Sequence, residues 1–243
     1  MAALCLSGPP RVSMSGSIAS LSRSGTTFIV SANSFRTRVK ICGITRPEDG
    51  RKAAQLGADA VGLVFHERSC RAVDRATAQA VIDALPPFVT VVALFQDPQA
   101  AFVRQVLREL RIDLLQFHGD EAPEFCEGFH RRYIKAIPMG EPGDPKAWVA
   151  RYPSAVGFLL DSHSRGASGG SGEIFDWARV PHDAGVPLIL AGGLSPENVG
   201  GAVRQARPFA VDVSTGVESA PGVKDPELMA AFISEVSNVH QGD

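Results

Sequence analysis

Eight short runs of apolar and β-branched residues recur along the chain, at 39–42, 59–65, 88–95, 113–117, 133–137, 155–160, 187–190 and 209–213. Polar segments with helical spacing lie between most of them, at 47–56, 76–85, 98–110, 123–131, 145–152 and 196–205, and a last one follows at 226–236. Strands that are apolar throughout need cover on both faces, and amphipathic helices supply it around a parallel sheet. Eight such βα units imply closure into a barrel. An open doubly wound sheet is the competing fold, but no GxGxxG motif follows the first run. The fold class expected is therefore α/β, a single (β/α)8 barrel over residues 38–243.

Residues 1–37 differ in texture. No Asp or Glu precedes Glu48, while Ser and Arg recur between Arg11 and Ser24. This segment reads as a disordered leader outside the barrel, with an organelle transit peptide as the alternative. The net charge of −2 and the lack of a basic run give no sign of nucleic-acid binding, and no apolar stretch reaches membrane-spanning length. Cys5, Cys42, Cys70 and Cys126 form no CxxC pair, and the histidines form no HxxxH pair. Neither a disulfide framework nor a metal site is expected, and a reducing, cytoplasmic setting fits best.

A barrel places the C-terminal ends of all its strands on one face, so the candidate site is read from those ends. The first strand ends in Cys42, and the loop after the second carries Ser69, Cys70 and Arg71. The fourth gives Gln116 and His118, and the sixth gives Asp161. Gly192 and Gly193 follow the seventh, while the eighth supplies Asp212, Ser214, Thr215 and Gly216. Two Gly/Ser/Thr clusters on adjacent strand ends suit a phosphate, which glycine backbone N–H groups and hydroxyls can hold. Asp161 in an apolar pocket would have a raised pKa and donate a proton. At a loop start it can instead cap the backbone that follows. Cys42 can serve as a base if its pKa falls below about 8.5. Alone it reads equally as a small buried hydrophobe. Arg71 would hold a substrate carboxylate. Together these groups suggest proton-transfer chemistry on a sugar phosphate, with no cofactor required.

The residues that carry these expectations also resemble a known family. Lys40-Ile41-Cys42-Gly43-Ile44-Thr45, Ser69-Cys70-Arg71, Gln116-Phe117-His118-Gly119, Leu159-Leu160-Asp161, Ala191-Gly192-Gly193-Leu194 and the 211–218 segment occur in the order seen in phosphoribosylanthranilate isomerases of tryptophan biosynthesis. The resemblance spans about residues 38 to 238. It implies the Amadori rearrangement of N-(5-phosphoribosyl)anthranilate to 1-(2-carboxyphenylamino)-1-deoxyribulose 5-phosphate. By the same resemblance, Asp161 is the general acid that opens the furanose ring. Cys42 is the general base that removes the C2 proton. Arg71 is expected to hold the anthranilate carboxylate. The Gly192-Gly193 and Ser214-Thr215-Gly216 loops are expected to bind the phosphate, and Gln116, His118 and Asp212 complete the substrate-binding set. The glycine-rich 166–172 segment would cover the substrate.

The family usually has Ser-Ser-Gly where this chain has Ser214-Thr215-Gly216, which keeps a hydroxyl. It often has Ser-Pro-Arg where this chain has Ser69-Cys70-Arg71, so the Arg71 loop is expected to be looser, with a second thiol near Cys42 that would pair with it on oxidation. Indoleglycerol-phosphate synthase, another phosphate-binding barrel, needs a catalytic Lys and Glu at strand ends, and Lys40 with Glu67 fits that poorly. A phosphosugar-binding pseudoenzyme would be marked by loss of the acid or base, yet Cys42 and Asp161 are both present. The expected partner is the small phosphosugar–anthranilate substrate, with neither nucleic acid nor membrane, for a monomer or homodimer.

Overall fold

The structure, a computed structural model, describes residues 36–163 and 174–239. The leader and the 166–172 segment therefore lie outside, or almost wholly outside, the described residues. The elements run β1 (Arg38–Cys42), α1 (Pro47–Leu56), β2 (Ala60–Val64), α2 (Arg75–Ala84), β3 (Thr90–Phe95), α3 (Ala100–Glu109) and β4 (Leu114–Phe117). They continue with α4 (Pro123–Glu127), β5 (Tyr133–Pro138), α5 (Pro145–Arg151), β6 (Gly157–Asp161), β7 (Leu188–Leu190), α6 (Val199–Ala206) and β8 (Ala210–Val213). A hairpin of β9 (Glu218–Ala220) and β10 (Val223–Lys224) precedes α7 (Pro226–Val239). Strands β1 to β8 pair in sequence order, all parallel, and β8 closes on β1. The expected barrel is the fold.

Side chains alternate across each strand, so each contributes to two separate layers. Outward-facing Val39 and Ile41 of β1 join the large core between barrel and helices. Around β3 and β4 that core is aromatic: Phe95 packs edge-on to Phe102, and Phe117 edge-on to Phe125 and Tyr133. Such pairs add about 0.5–1.5 kcal/mol beyond burial alone. The barrel interior holds a second, smaller apolar cluster of Ile134, Ala136, Leu159, Ile189, Ala191 and Ala210. This inner plug fills the barrel from β5 to β8. Above it, on the same inward face, the strands carry Lys40, Cys42, Gln116, Asp161 and Asp212, all buried.

Local details depart from the sequence reading. Thr45, expected to cap α1, instead donates its hydroxyl to the Gly222 carbonyl at 2.5 Å, and Arg46 occupies the cap position without a side-chain capping bond, its guanidinium pairing with Asp49. Helix α4 stops at Glu127, short of residue 131, because the chain turns through His130 at φ +51°. Helix α6 begins at Val199 rather than 196, once the Asn198 side chain has closed the preceding turn. Between β6 and β7, where no helical segment was read from the sequence, the described residues hold a 3-10 turn at Trp177–Arg179.

Candidate active site

The first strand delivers two side chains to the mouth. Lys40 and Cys42 share a face, and Lys40 sits in register with Asp212 on β8. Their charges meet at 2.8 Å, with both side chains almost wholly buried. Cys42 lies in register with Gly62 on β2, and a Cβ at position 62 would stand 2.7 Å from the Cys42 sulfur and 3.2 Å from the Lys40 Cε. Gly62 is therefore the residue that makes room for the thiol. Burial pushes the Cys42 thiol above its ordinary value, while the adjacent Lys40 ammonium pulls it back. The thiol is thus raised, and the condition set for a base, a lowered pKa, is not met by these neighbours alone. Lys40 is held well above its usual range: burial opposes this, but Asp212 and the Cys42 sulfur outweigh it.

Arg71 is anchored rather than loose. Its Nε and Nη2 both donate to Glu218 at 2.7 Å, and Nη2 also reaches the Thr215 hydroxyl at 3.1 Å. Ser69 accepts the Arg71 backbone N–H at 3.1 Å, and Ala72 bridges to Val64, so the loop keeps its shape without the missing proline. Lys224 of the hairpin pairs with the same Glu218 at 2.7 Å and with the Ser214 carbonyl at 3.1 Å. Burial works against ionisation of Glu218, but Arg71 and Lys224 hold its carboxyl below the usual range. Lys224 is also lowered, because desolvation pulls its ammonium down despite the same partner. Arg71 therefore presents to the mouth with one edge of its fork already engaged. Gly43, at φ +74°, leaves room for the Arg71 stem, since a Cβ there would meet its Cδ.

The two expected phosphate loops pack directly on each other. A side chain at Gly216 would collide with the Leu194 carbonyl oxygen, and one at Gly192 with Ser162. Gly192 and Gly193 adopt φ +81° and +64°, backbone open to glycine at little cost. The Asn198 amide braces this turn, donating to the Gly193 carbonyl at 2.8 Å and accepting from the Ser195 N–H at 2.9 Å.

On the opposite rim, Asp161 ends β6 between two imidazoles. His118 Nε2 and His163 Nδ1 each lie 3.4 Å from a different oxygen of its carboxylate, and the two rings stack at 4.5 Å. Burial raises the Asp161 carboxyl, yet the two histidines outweigh it and hold the group far below the carboxylate range. The raised pKa expected from an apolar pocket is corrected: the pocket is lined with basic rings. Gln116 stands behind His118, its Nε2 3.1 Å from Nδ1. The capping alternative is met too, since the His163 N–H donates to Asp161 at 3.3 Å. The loop carrying His118 is fastened by buried Lys135, which donates to the Gly119 carbonyl at 2.6 Å and pairs with Glu121 at 3.3 Å.

A family model described as N-(5'phosphoribosyl)anthranilate (PRA) isomerase matches residues 39–235. The chain belongs to that family. An N-(5'-phosphoribosyl)anthranilate isomerase of Halorhodospira halophila is 57% identical over 203 residues, covering 83% of this chain and 97% of that one. The structure of phosphoribosyl anthranilate isomerase from Thermus thermophilus superposes with a TM-score of 0.76 at 40% identity, over 84% of this chain and all of that one. A third isomerase, solved in complex with reduced 1-(o-carboxyphenylamino)-1-deoxyribulose 5-phosphate, matches with a TM-score of 0.72 and 36% identity over 83% of this chain and 99% of that one.

Within this isomerase barrel, Lys40, Glu218, Lys224, Asn198 and His163 escaped the sequence reading. Only Lys40 and Glu218 carried a signal, as charges inside otherwise apolar or glycine-rich strand ends. Cys70 is exposed and Cys42 buried, both as free thiols.

Proposed function

We propose that residues 38–243 form a phosphoribosylanthranilate isomerase domain that converts N-(5'-phosphoribosyl)anthranilate to 1-(2-carboxyphenylamino)-1-deoxyribulose 5-phosphate. The observation that carries this reading is the placement of Cys42 and Asp161 at the ends of β1 and β6, on one mouth, above two interlocked glycine loops. Asp161 gives a proton to the furanose ring oxygen, the C1–O bond breaks, and nitrogen donates its pair to form a protonated Schiff base. The flanking imidazoles are the groups able to pass Asp161 that proton. Cys42 then takes the C2 proton, and the electrons of that bond neutralise the iminium to leave an enolamine, which tautomerises to the ketone. Burial pushes the thiol up, so the thiolate needs help. Lys40 supplies one positive charge, and the Schiff base adds a second at the step where it is used.

The Gly192-Gly193 and Ser214-Thr215-Gly216 loops would take the phosphate, and the open edge of Arg71 the anthranilate carboxylate. The test follows the loss of substrate fluorescence, with the unstable substrate generated in situ, in wild type, Cys42→Ala and Asp161→Asn. Turnover that collapses in both variants supports the acid and base together. Turnover surviving Cys42→Ala overturns the base, and a folded but inactive wild type overturns the reaction. Among the described residues no helix is long and apolar enough to cross a membrane.

A further inference from the structure

We propose that His118, Asp161 and His163 form a binding site for one divalent transition metal of the zinc class, and that its occupancy switches the isomerase off. The three residues come from two different strand ends, and their ligand atoms all lie within 4.8 Å of one another. A tetrahedral centre with bonds of about 2.0–2.1 Å keeps its ligand atoms about 3.4 Å apart. Both histidine nitrogens already stand 3.4 Å from the carboxylate.

The nitrogens are also uncommitted. Among the described residues neither His118 Nε2 nor His163 Nδ1 has an aligned hydrogen-bond partner, and their side chains are only 9% and 5% exposed. Buried polar atoms normally find partners, so two ring nitrogens that face one carboxylate without an aligned hydrogen bond mark a place for a cation. Two imidazoles and a carboxylate suit zinc, cobalt(II) or iron(II), with coordination positions left over. The support behind the ligands is present as well. Gln116 Oε1, a buried atom without a partner, can accept from His118 Nδ1–H once the amide turns over in place, which leaves the Nε2 lone pair for the metal. A small cleft lined by Asp97, His118, Asp120, Trp148 and His163 reaches both histidines.

Metal binding does not depend on what Asp161 does in catalysis. The inhibition does, and rests on Asp161 being the general acid: a metal-bound carboxylate has no proton to give.

The probe is cobalt(II) titrated into the purified full chain, read by visible absorption, beside zinc titration of isomerase activity. We expect one cobalt per chain, with d–d bands and no thiolate-to-cobalt charge-transfer band. Affinity should fall at least tenfold in His163→Ala and in His163→Phe, whose ring keeps the stack on His118, and stay unchanged in Cys42→Ser. Zinc should abolish turnover at one equivalent, and a chelator should restore it. A thiolate band, an affinity that follows Cys42, or equal affinity in wild type and both His163 variants would overturn the site. Cobalt bound at the three residues while zinc leaves turnover intact would overturn the inhibition and the acid assignment of Asp161. A wild type with no isomerase activity that still binds cobalt would overturn the reaction and keep the site.

Discussion

The two sides of the barrel mouth solve the problem of buried charge in opposite ways. Around β1, β2 and β8, Lys40 meets Asp212, and Arg71 and Lys224 share Glu218, all at 2.7–2.8 Å. Around β4 and β6, one carboxylate sits between two imidazoles whose facing nitrogens make no aligned hydrogen bond. The first side is a rigid electrostatic frame in which each carboxylate holds a named cation in place. The second keeps its groups close but uncommitted, as a site that must gain and lose a proton requires. The acid Asp161 thus stands apart from the paired charges, while the base Cys42 shares β1 with Lys40.

The largest effect expected is the loss of turnover when either proton carrier is removed. Asp161→Asn and Cys42→Ala should each lower kcat by about 10²–10⁴, measured by substrate fluorescence. Near-wild-type turnover in either variant would remove that residue from the proton transfers.

On the framed side the expected damage is to folding. Lys40→Met leaves Asp212 buried without its cation, and breaking such a pair costs about 3–5 kcal/mol. Urea unfolding should show this cost, and Lys40→Met/Asp212→Leu should recover most of it. Lys40 also pulls the Cys42 thiol down against burial. The alkaline rise of kcat should therefore move to higher pH in Lys40→Met, and an unmoved profile would strip Lys40 of that role.

A smaller effect is expected where no charge is involved. Gly62→Ala places a methyl 2.7 Å from the Cys42 sulfur, and overpacking of that kind costs about 1–3 kcal/mol. The cost should shrink in a Cys42→Ala background, where the nearest contacts become the residue 42 Cα at 3.1 Å and Lys40 Cε at 3.2 Å. Equal costs in both backgrounds would mean that the glycine serves the backbone and not the thiol.

The smallest effect is a pH dependence. Glu218 ionises more readily folded than unfolded, so its contribution to stability is present above about pH 4.3 and disappears as pH falls through its lower folded value. The stability difference between wild type and Glu218→Gln should therefore narrow on acidification from pH 5 toward pH 2. A difference independent of pH would locate the stabilisation in packing and hydrogen bonds rather than charge.

The barrel was legible because continuous apolar runs alternating with amphipathic segments are local signals. Cys42 and Asp161 were legible because polar groups at strand ends stand out against the runs they finish. Lys40 pairing with Asp212 was not, since it depends on the register of β1 against β8, which no local pattern reports. The expected pKa of Asp161 failed for a related reason. The strand before it is apolar, but its neighbours in space are His118 from β4 and His163 just beyond β6, and only the closed barrel brings them together. Arg71 was read as an open cation because Glu218 lies 147 residues away.

Those long spans also govern how the molecule comes into being. Asp49 in the first helix accepts from the Lys224 N–H, 175 residues later, and Thr45 reaches Gly222. A chain leaving the ribosome at about 5–20 residues per second carries its first strand for about 10–35 s before the hairpin that seals it is made. During that interval Lys40 has no Asp212 and Arg71 no Glu218, so the barrel closes and its mouth is assembled only once the hairpin has been made.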